Sequence, residues 1–141
     1  MTTINKIKFV ASAILILILI AGCSSETDLM KKKLAKSDKV KIYFYDEVTG
    51  SPYAVNTIEN KDTVQMILSG VSDEDTPDLK CGYTGAIEFF SENQSLMNLE
   101  FNVNKDCEHI VFMVNNNSYS KKLMTPAIEV LRNYFTLSKK M

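Results

Sequence analysis

The residues best suited to covalent or metal chemistry in this chain are three cysteines and one histidine. Cys107 and His109 lie two positions apart at the start of an apolar run, and a thiol beside an imidazole can form a nucleophile and its base. Residues two apart on a strand share a face but stand about 6.5–7 Å apart, which is too far for such a dyad. The spacing therefore favours His109 as a hydrogen-bonded residue at a strand end.

Acidic residues offer a second kind of chemistry. The run that contains Asp73, Glu74, Asp75 and Asp78 lacks the alternating ligands, central glycine and final glutamate of an EF-hand calcium loop, so we expect a solvated loop without a metal. The sequence also contains no G-x-S-x-G, H-E-x-x-H, Walker or Rossmann pattern. We therefore predict that the protein is not an enzyme and has no cofactor. A small hydrolase whose carboxylates converge in the fold is the alternative.

Tyrosines are the third group of interest, because tyrosine supplies a rigid contact area with a polar tip. Two of them alternate with the apolar residues of a predicted strand, and the others fall in or near predicted turns. This placement predicts a surface that binds another envelope protein or a glycan, although strands favour tyrosine for packing alone. The candidate surface residues are Tyr43, Tyr45, Tyr53, Tyr83 and Tyr119.

The N-terminus has the organisation of an export signal. Lys6 and Lys8 precede an almost unbroken apolar run over Phe9–Ala21, and no acidic residue stands among them. The run is shorter than the roughly 20 residues that a membrane-spanning helix needs. A basic start followed by a short apolar segment is typical of a secretory signal that is later removed.

The end of this apolar run is more specific. Ile20-Ala21-Gly22-Cys23 resembles the lipobox of bacterial lipoproteins, in which an aliphatic residue and two small residues precede a cysteine. The resemblance implies a diacylglycerol thioether on Cys23 and cleavage between Gly22 and Cys23. A mature lipoprotein carries at least two acyl chains, which is enough for stable attachment to a membrane. Ser24 follows the cysteine where an aspartate would resemble a retention signal, so the outer membrane is favoured in a bacterium that has two membranes.

The chain then divides into three predicted parts: a cleaved signal peptide over 1–22, the lipidated cysteine with a tether over 23–38, and one globular domain over 39–141. Residues 24–38 are polar, and the segment 31–36 carries four lysines. These lysines could attract anionic headgroups by about 1 kcal/mol each. Because Glu26 and Asp28 dilute that charge, we expect a solvated tether or a single helical turn.

Alternating apolar and polar residues predict strands in the domain. The alternation covers 39–45, 84–91 and 97–103, and 110–114 is apolar throughout, which is typical of a strand covered on both faces. Shorter strands are predicted over 53–57 and, at a sheet edge, over 119–123.

Two helices complete the prediction. The first covers 61–69, with Asn60 or Asp62 as its N-cap and Gly70 at its end, and the second begins at Thr125 as N-cap with Pro126 in the first helical position. Residues 71–81 are predicted as a loop. Together these elements predict an α+β fold, in which an antiparallel sheet of four to six strands has two helices packed on one face.

Cys81 and Cys107 precede two predicted strands that would run in the same direction, so both lie at the same end of the sheet. Two strand spacings separate them, about 9.6 Å, whereas a disulfide needs Cα atoms within about 7 Å. One loop must therefore fold inward over the sheet end. Because export leads to an oxidising environment, we predict a disulfide between them, with two buried thiols as the alternative.

Charge and composition limit the partners. The chain has a net charge of −1, and removal of the signal peptide takes away two lysines and no acidic residue. Such a chain lacks the basic character of most nucleic-acid-binding domains. We therefore predict a membrane-anchored envelope lipoprotein that acts as a non-enzymatic binding module.

Overall fold

The computed structural model describes residues 24–77 and 81–140. Three helices and seven strands lie in these residues, so both numbers exceed the prediction. In chain order they are α1 (Glu26–Leu34), β1 (Lys39–Tyr45), β2 (Pro52–Ile58), α2 (Lys61–Ser69), β3 (Val71–Asp75), β4 (Gly85–Ser91), β5 (Gln94–Asn102), β6 (His109–Val114), β7 (Asn117–Leu123) and α3 (Thr125–Ser138).

The strands form one sheet in the order β2-β1-β4-β5-β6-β7-β3, and every neighbouring pair is antiparallel. The sequence predicts a loop where β3 lies, because the polar residues of this segment do not alternate with apolar ones. Its pairing with β7, through Val71 with Leu123 and Asp75 with Lys121, makes it a strand. The prediction that β7 is an edge strand is therefore wrong, since β3 lies outside it.

One face of the sheet carries the core. Val40, Ile42 and Phe44 of β1 are fully buried, as their alternation predicted, and their partners on β4 include Phe89 and Ile87. These residues belong to a single apolar cluster that also contains buried residues of all three helices. The helices therefore share one face of the sheet.

The opposite face has no helix of the described residues against it, and we call it the open face. It includes the residues Lys41, Tyr43, Glu88, Glu100, Val111 and Met113. The prediction that β6 is covered on both faces is wrong, because Met113 is 59% exposed and Val111 is only partly buried. An apolar run does not by itself reveal which side of a sheet the helices cover.

The helix ends agree with the prediction in one case and differ in the other. The side chain of Asn60 caps α2 by accepting the backbone N–H of Thr63 at 2.9 Å, and Gly70 forms the C-cap. The N-cap of α3 is Met124 rather than Thr125, and no side chain caps that end. The backbone N–H of Met124 instead donates to the carbonyl of Gly70 at 2.7 Å, which ties the start of α3 to the end of α2.

Residues 24–38 differ most from the prediction, because the expected tether contains the helix α1. Thr27, Met30 and Leu34 lie on one side of this helix and are fully buried. Ser25 caps the helix in a reciprocal arrangement with Asp28. The neighbouring lysines obscured this spacing in the sequence, and the core therefore begins in α1 rather than at residue 39.

Candidate functional site

A cleft of about 590 Å³ opens at the end of the sheet where β1 ends and β4 begins. It combines aromatic rings, carboxylates and side-chain amides. We call it the tyrosine cleft, and its lining includes Tyr45, Glu47, Tyr83, Glu100, Asn102 and Asn104. Its size lies within the range of about 300–1,000 Å³ that is usual for ligand pockets.

The backbone positions the two tyrosines on adjacent segments. Tyr45 is the last residue of β1, and its N–H donates to the carbonyl of Thr84 at 3.0 Å. Thr84 is in turn held to β5, because its N–H donates to the carbonyl of Phe101 at 2.8 Å. Tyr83 precedes this anchored residue and is 42% exposed, with its ring 5.9 Å from that of His109.

The predicted disulfide closes the sheet end beside the cleft. Cys81 and Cys107 are bonded, with their Cα atoms 6.1 Å apart, so the inward fold expected of the loops is confirmed. The buried amide of Asn102 donates to the carbonyls of Cys81 and Gly82, at 3.1 Å and 3.0 Å. Its oxygen accepts the N–H of Asn104 at 2.8 Å. The amide therefore holds the loop before β4 against the end of β5.

The carboxylates of the cleft have different roles. Asp46 accepts the backbone N–H groups of Thr49 at 2.8 Å and Val48 at 3.1 Å, and the bonds from Thr49 and then Val48 hold the pKa of Asp46 below its ordinary value. Asp46 is thus part of the turn between β1 and β2. Glu100 stands on the open face of β5, where it is paired with Ala86 of β4 and Val111 of β6.

Burial, and then the negative charge of Glu100, raise the pKa of both Tyr45 and Tyr83. Both phenols therefore remain protonated hydrogen-bond donors at neutral pH. The charge of Glu100 contributes to both shifts, and the three side chains line the same cleft. A negative charge beside two aromatic rings suits a ligand that carries a positive charge.

The five tyrosines that were predicted to form one binding surface do not lie together in the structure. Tyr45 and Tyr83 line the cleft. Tyr53 is 43% exposed, and burial, followed by the charges of Glu47 and Asp46, raises its pKa. Tyr43 lies further along the open face, where its hydroxyl donates to Glu88 at 3.0 Å.

Tyr119 does not belong to this surface. Its ring stacks on Phe112 with centroids 6.0 Å apart, on the face that the helices cover, and it packs against the core. Tyr119 therefore lies on the opposite face of the sheet from Tyr43.

His109 is a hydrogen-bonded strand residue, as the spacing predicted. Its Nδ1 lies 2.7 Å from the carbonyl of Cys107, and the thiol of Cys107 is consumed in the disulfide. The pair therefore has no thiolate nucleophile while the bridge is intact.

The acidic run serves the edge of the sheet. Asp75 pairs with Lys121 at 2.6 Å and Glu74 with Lys122 at 3.2 Å, while Asp78 lies outside the described residues. Across 24–77 and 81–140, no three His, Cys, Asp or Glu side chains converge as a metal ion would require. Within the same ranges, none of the helices has the length and apolar composition of a membrane crossing.

Sequence reasoning missed Glu100, Asn102 and Asn104 as cleft residues. Their spacing of two places them on one face of a strand, but alternation alone predicts only that this face is polar. The sequence signal that could have identified them is a set of three hydrogen-bonding side chains that ends just before the loop of Cys107.

Gly22 and Cys23, the predicted cleavage and lipidation residues, lie outside the described residues. Searches with this chain against protein-family models, curated proteins and solved structures find no match.

Proposed function

We propose that this chain is a bacterial lipoprotein, anchored in the cell envelope through lipid on Cys23, whose domain binds a protein partner in the tyrosine cleft. The observation that carries the binding role is the pairing of two tyrosine rings with the Glu100 carboxylate in one cleft. The observation that carries the anchor is the lipobox-like sequence at 20–23.

The charge of the cleft favours a partner that presents a lysine or arginine side chain. Asp46, Glu47 and Glu100 make the surroundings negative, and the faces of Tyr45 and Tyr83 attract a cation as well. Tyrosine is also enriched among the residues that dominate binding energy at protein interfaces. The open face next to the cleft offers further contact area around the inserted side chain.

The anchor is tested by the variant Cys23→Ala. We expect this protein to leave the membrane fraction, because lipid is proposed as its attachment. Ser24→Ala is the matched control and should stay with the membrane. Continued membrane fractionation of Cys23→Ala would contradict the lipoprotein assignment.

The binding role is tested by photo-crosslinking in cells. A photoreactive amino acid in place of Tyr83 should yield a covalent adduct with a partner protein, and addition of Glu100→Gln should reduce its yield. The control position is Met66, which is 44% exposed on the helix side. Equal adducts from both positions would argue against a specific cleft partner.

Hydrolysis by convergent carboxylates is a second candidate, favoured by the three acidic residues that line the cleft. Asp46 already accepts the N–H groups of its own turn, so Glu47 and Glu100 are the candidates for the general acid. Release of soluble sugar from envelope glycan by the purified protein, abolished in Glu100→Gln, would replace the binding proposal with this one.

A further inference from the structure

The helix α1 begins very close to the proposed lipid site. Only Ser24 and Ser25 separate Cys23 from Glu26, the first residue of the helix. Because an extended residue spans at most about 3.6 Å, Glu26 can lie no more than about 11 Å from the lipidated cysteine. A domain on so short a connection cannot move far from the membrane surface.

The start of α1 is fixed to the edge strand of the sheet. The hydroxyl of Ser25 donates to Asp73 at 2.7 Å, and that of Thr27 donates to the carbonyl of Ser72 at 3.3 Å. Glu26 also lies 3.9 Å from the ammonium of Lys121. The lipid connection therefore ends at a defined point beside β3.

The tyrosine cleft is separated from this point by several strands of the sheet. The strand order places β3 at one edge, while the cleft is lined from β5 and β1, which are three and five strands away. At about 4.8 Å between strands, this separation is roughly 14–24 Å. The edge that is tied to the lipid and the cleft are thus well apart.

We infer that the mature protein stands with its β3 edge and the start of α1 against the lipid surface, and that the tyrosine cleft faces away from the membrane. This inference rests on the proposed lipid attachment at Cys23. The carboxylates of the β3 edge are held by Lys121, Lys122 and Ser25, and the short connection to Cys23 keeps this edge at the lipid surface.

The chain has no tryptophan, so a single introduced tryptophan reports its own surroundings. Leu29→Trp places the probe in the first turns of α1, at a side chain that is 41% exposed, and Val48→Trp places it in the turn beside the cleft, at one that is 93% exposed. Each lipidated variant is reconstituted into phosphatidylcholine vesicles that contain a nitroxide-headgroup lipid. We expect Leu29→Trp to lose most of its emission and Val48→Trp to keep nearly all of it.

A flexible insertion supplies the control. About 20 Gly and Ser residues between Ser24 and Ser25 have a root-mean-square span of about 25 Å, so they should restore most of the Leu29→Trp emission while the protein stays on the vesicles. Equal quenching of the two probes without the insertion would overturn the orientation, as would unchanged quenching with it. A protein that never joins the vesicles would instead refute the lipid attachment itself.

Discussion

The ammonium of Lys121 lies 2.6 Å from Oδ1 of Asp75, and the lysine side chain is almost completely buried. It also donates to the carbonyl of Asp73 at 3.3 Å, with Glu26 at 3.9 Å. The hydrogen bond that Lys121 donates to Asp75 raises the pKa of Lys121, although burial opposes the shift. One cation thus joins β7, β3 and α1, which the sequence predicts to be an edge strand, a loop and a tether.

Removal of the Asp75 carboxylate from Lys121 should destabilise the fold. We expect Asp75→Asn to lower the free energy of unfolding by about 1–2 kcal/mol, because the buried ammonium loses a charge-assisted hydrogen bond. Glu74→Gln is the matched control, since its partner Lys122 is about half exposed, and it should cost at most about 0.5 kcal/mol. Urea unfolding measures the free energy of unfolding of both variants. Equal decreases would show that the pair with the buried Lys121 stabilises the fold no more than the exposed pair does.

The ion pair between Glu108 and Arg132 should make the stability of the fold depend on pH in the acidic range. Burial acts to raise the pKa of Glu108, but backbone hydrogen bonds and the Arg132 guanidinium, 2.7 Å away, lower it overall. A lowered folded-state pKa adds stability that is present above the unfolded-state pKa of about 4.3 and is lost as the pH falls through the folded-state pKa. We expect the unfolding free energy of Glu108→Gln to fall less than that of the wild type between about pH 5 and 3. Parallel pH profiles of the two proteins would contradict this account.

The close approach of α2 and α3 depends on Gly70. A Cβ at this position would lie 2.5 Å from Cβ of Ala127 and 2.6 Å from its backbone nitrogen. We expect Gly70→Ala to destabilise the protein by about 2–3 kcal/mol through overpacking. Gly50→Ala is the control for backbone strain, because Gly50 has φ +66° and open space around it, and it should cost about 1 kcal/mol. A smaller loss at Gly70 than at Gly50 would refute the steric explanation.

Reduction of the Cys81–Cys107 bridge should lower stability. The bridge spans a sequence separation of 26, and a loop of this length contributes about 3 kcal/mol by restricting the unfolded chain. Unfolding with and without reductant measures the difference, and the variant Cys81→Ala/Cys107→Ala should no longer respond to reductant. Two reactive thiols on the unfolded, unreduced mature protein would disprove the bridge.

The shared environment of the cleft can be tested by titration. Because the charge of Glu100 helps to raise the pKa of Tyr45 and Tyr83, Glu100→Gln should lower the pKa of both phenols. Tyr53 responds to burial and to Glu47 and Asp46, so it serves as the internal control and should titrate as before. Nuclear magnetic resonance of ring-labelled tyrosine resolves the three groups. Unchanged titration of all three would show that the charge of Glu100 does not act on Tyr45 and Tyr83.

Part of the fold followed from residues close together in the sequence. The alternation in 39–45 identified β1, and Asn60 and Gly70 marked the ends of α2. A period of two or of three to four residues is a local property, so the sequence displays it directly. The strand β3 had no such period, and its pairing with β7 depends on Val71 meeting Leu123, about 50 residues later.

The sequence predicted only part of the candidate site, for the same reason. The sequence indicated Tyr45 and Tyr83 as surface residues, but it also placed Tyr119 with them, and the register of β6 with β7 puts that ring on the core side. Register also brings Glu100 beside two tyrosines that are far from it in the chain.

The sequence by itself determined the periodic strands and helices, the expectation of a disulfide, and the lipobox-like segment, because each depends on neighbouring residues or on chain order. Only the tertiary structure decided that α1 belongs to the core, that one face of the sheet stays open, and that the cleft lies far from the β3 edge. These features depend on which distant strands pair, and on which face the helices bury their apolar sides. That choice minimises exposed apolar surface over the whole chain, so no local segment reveals it.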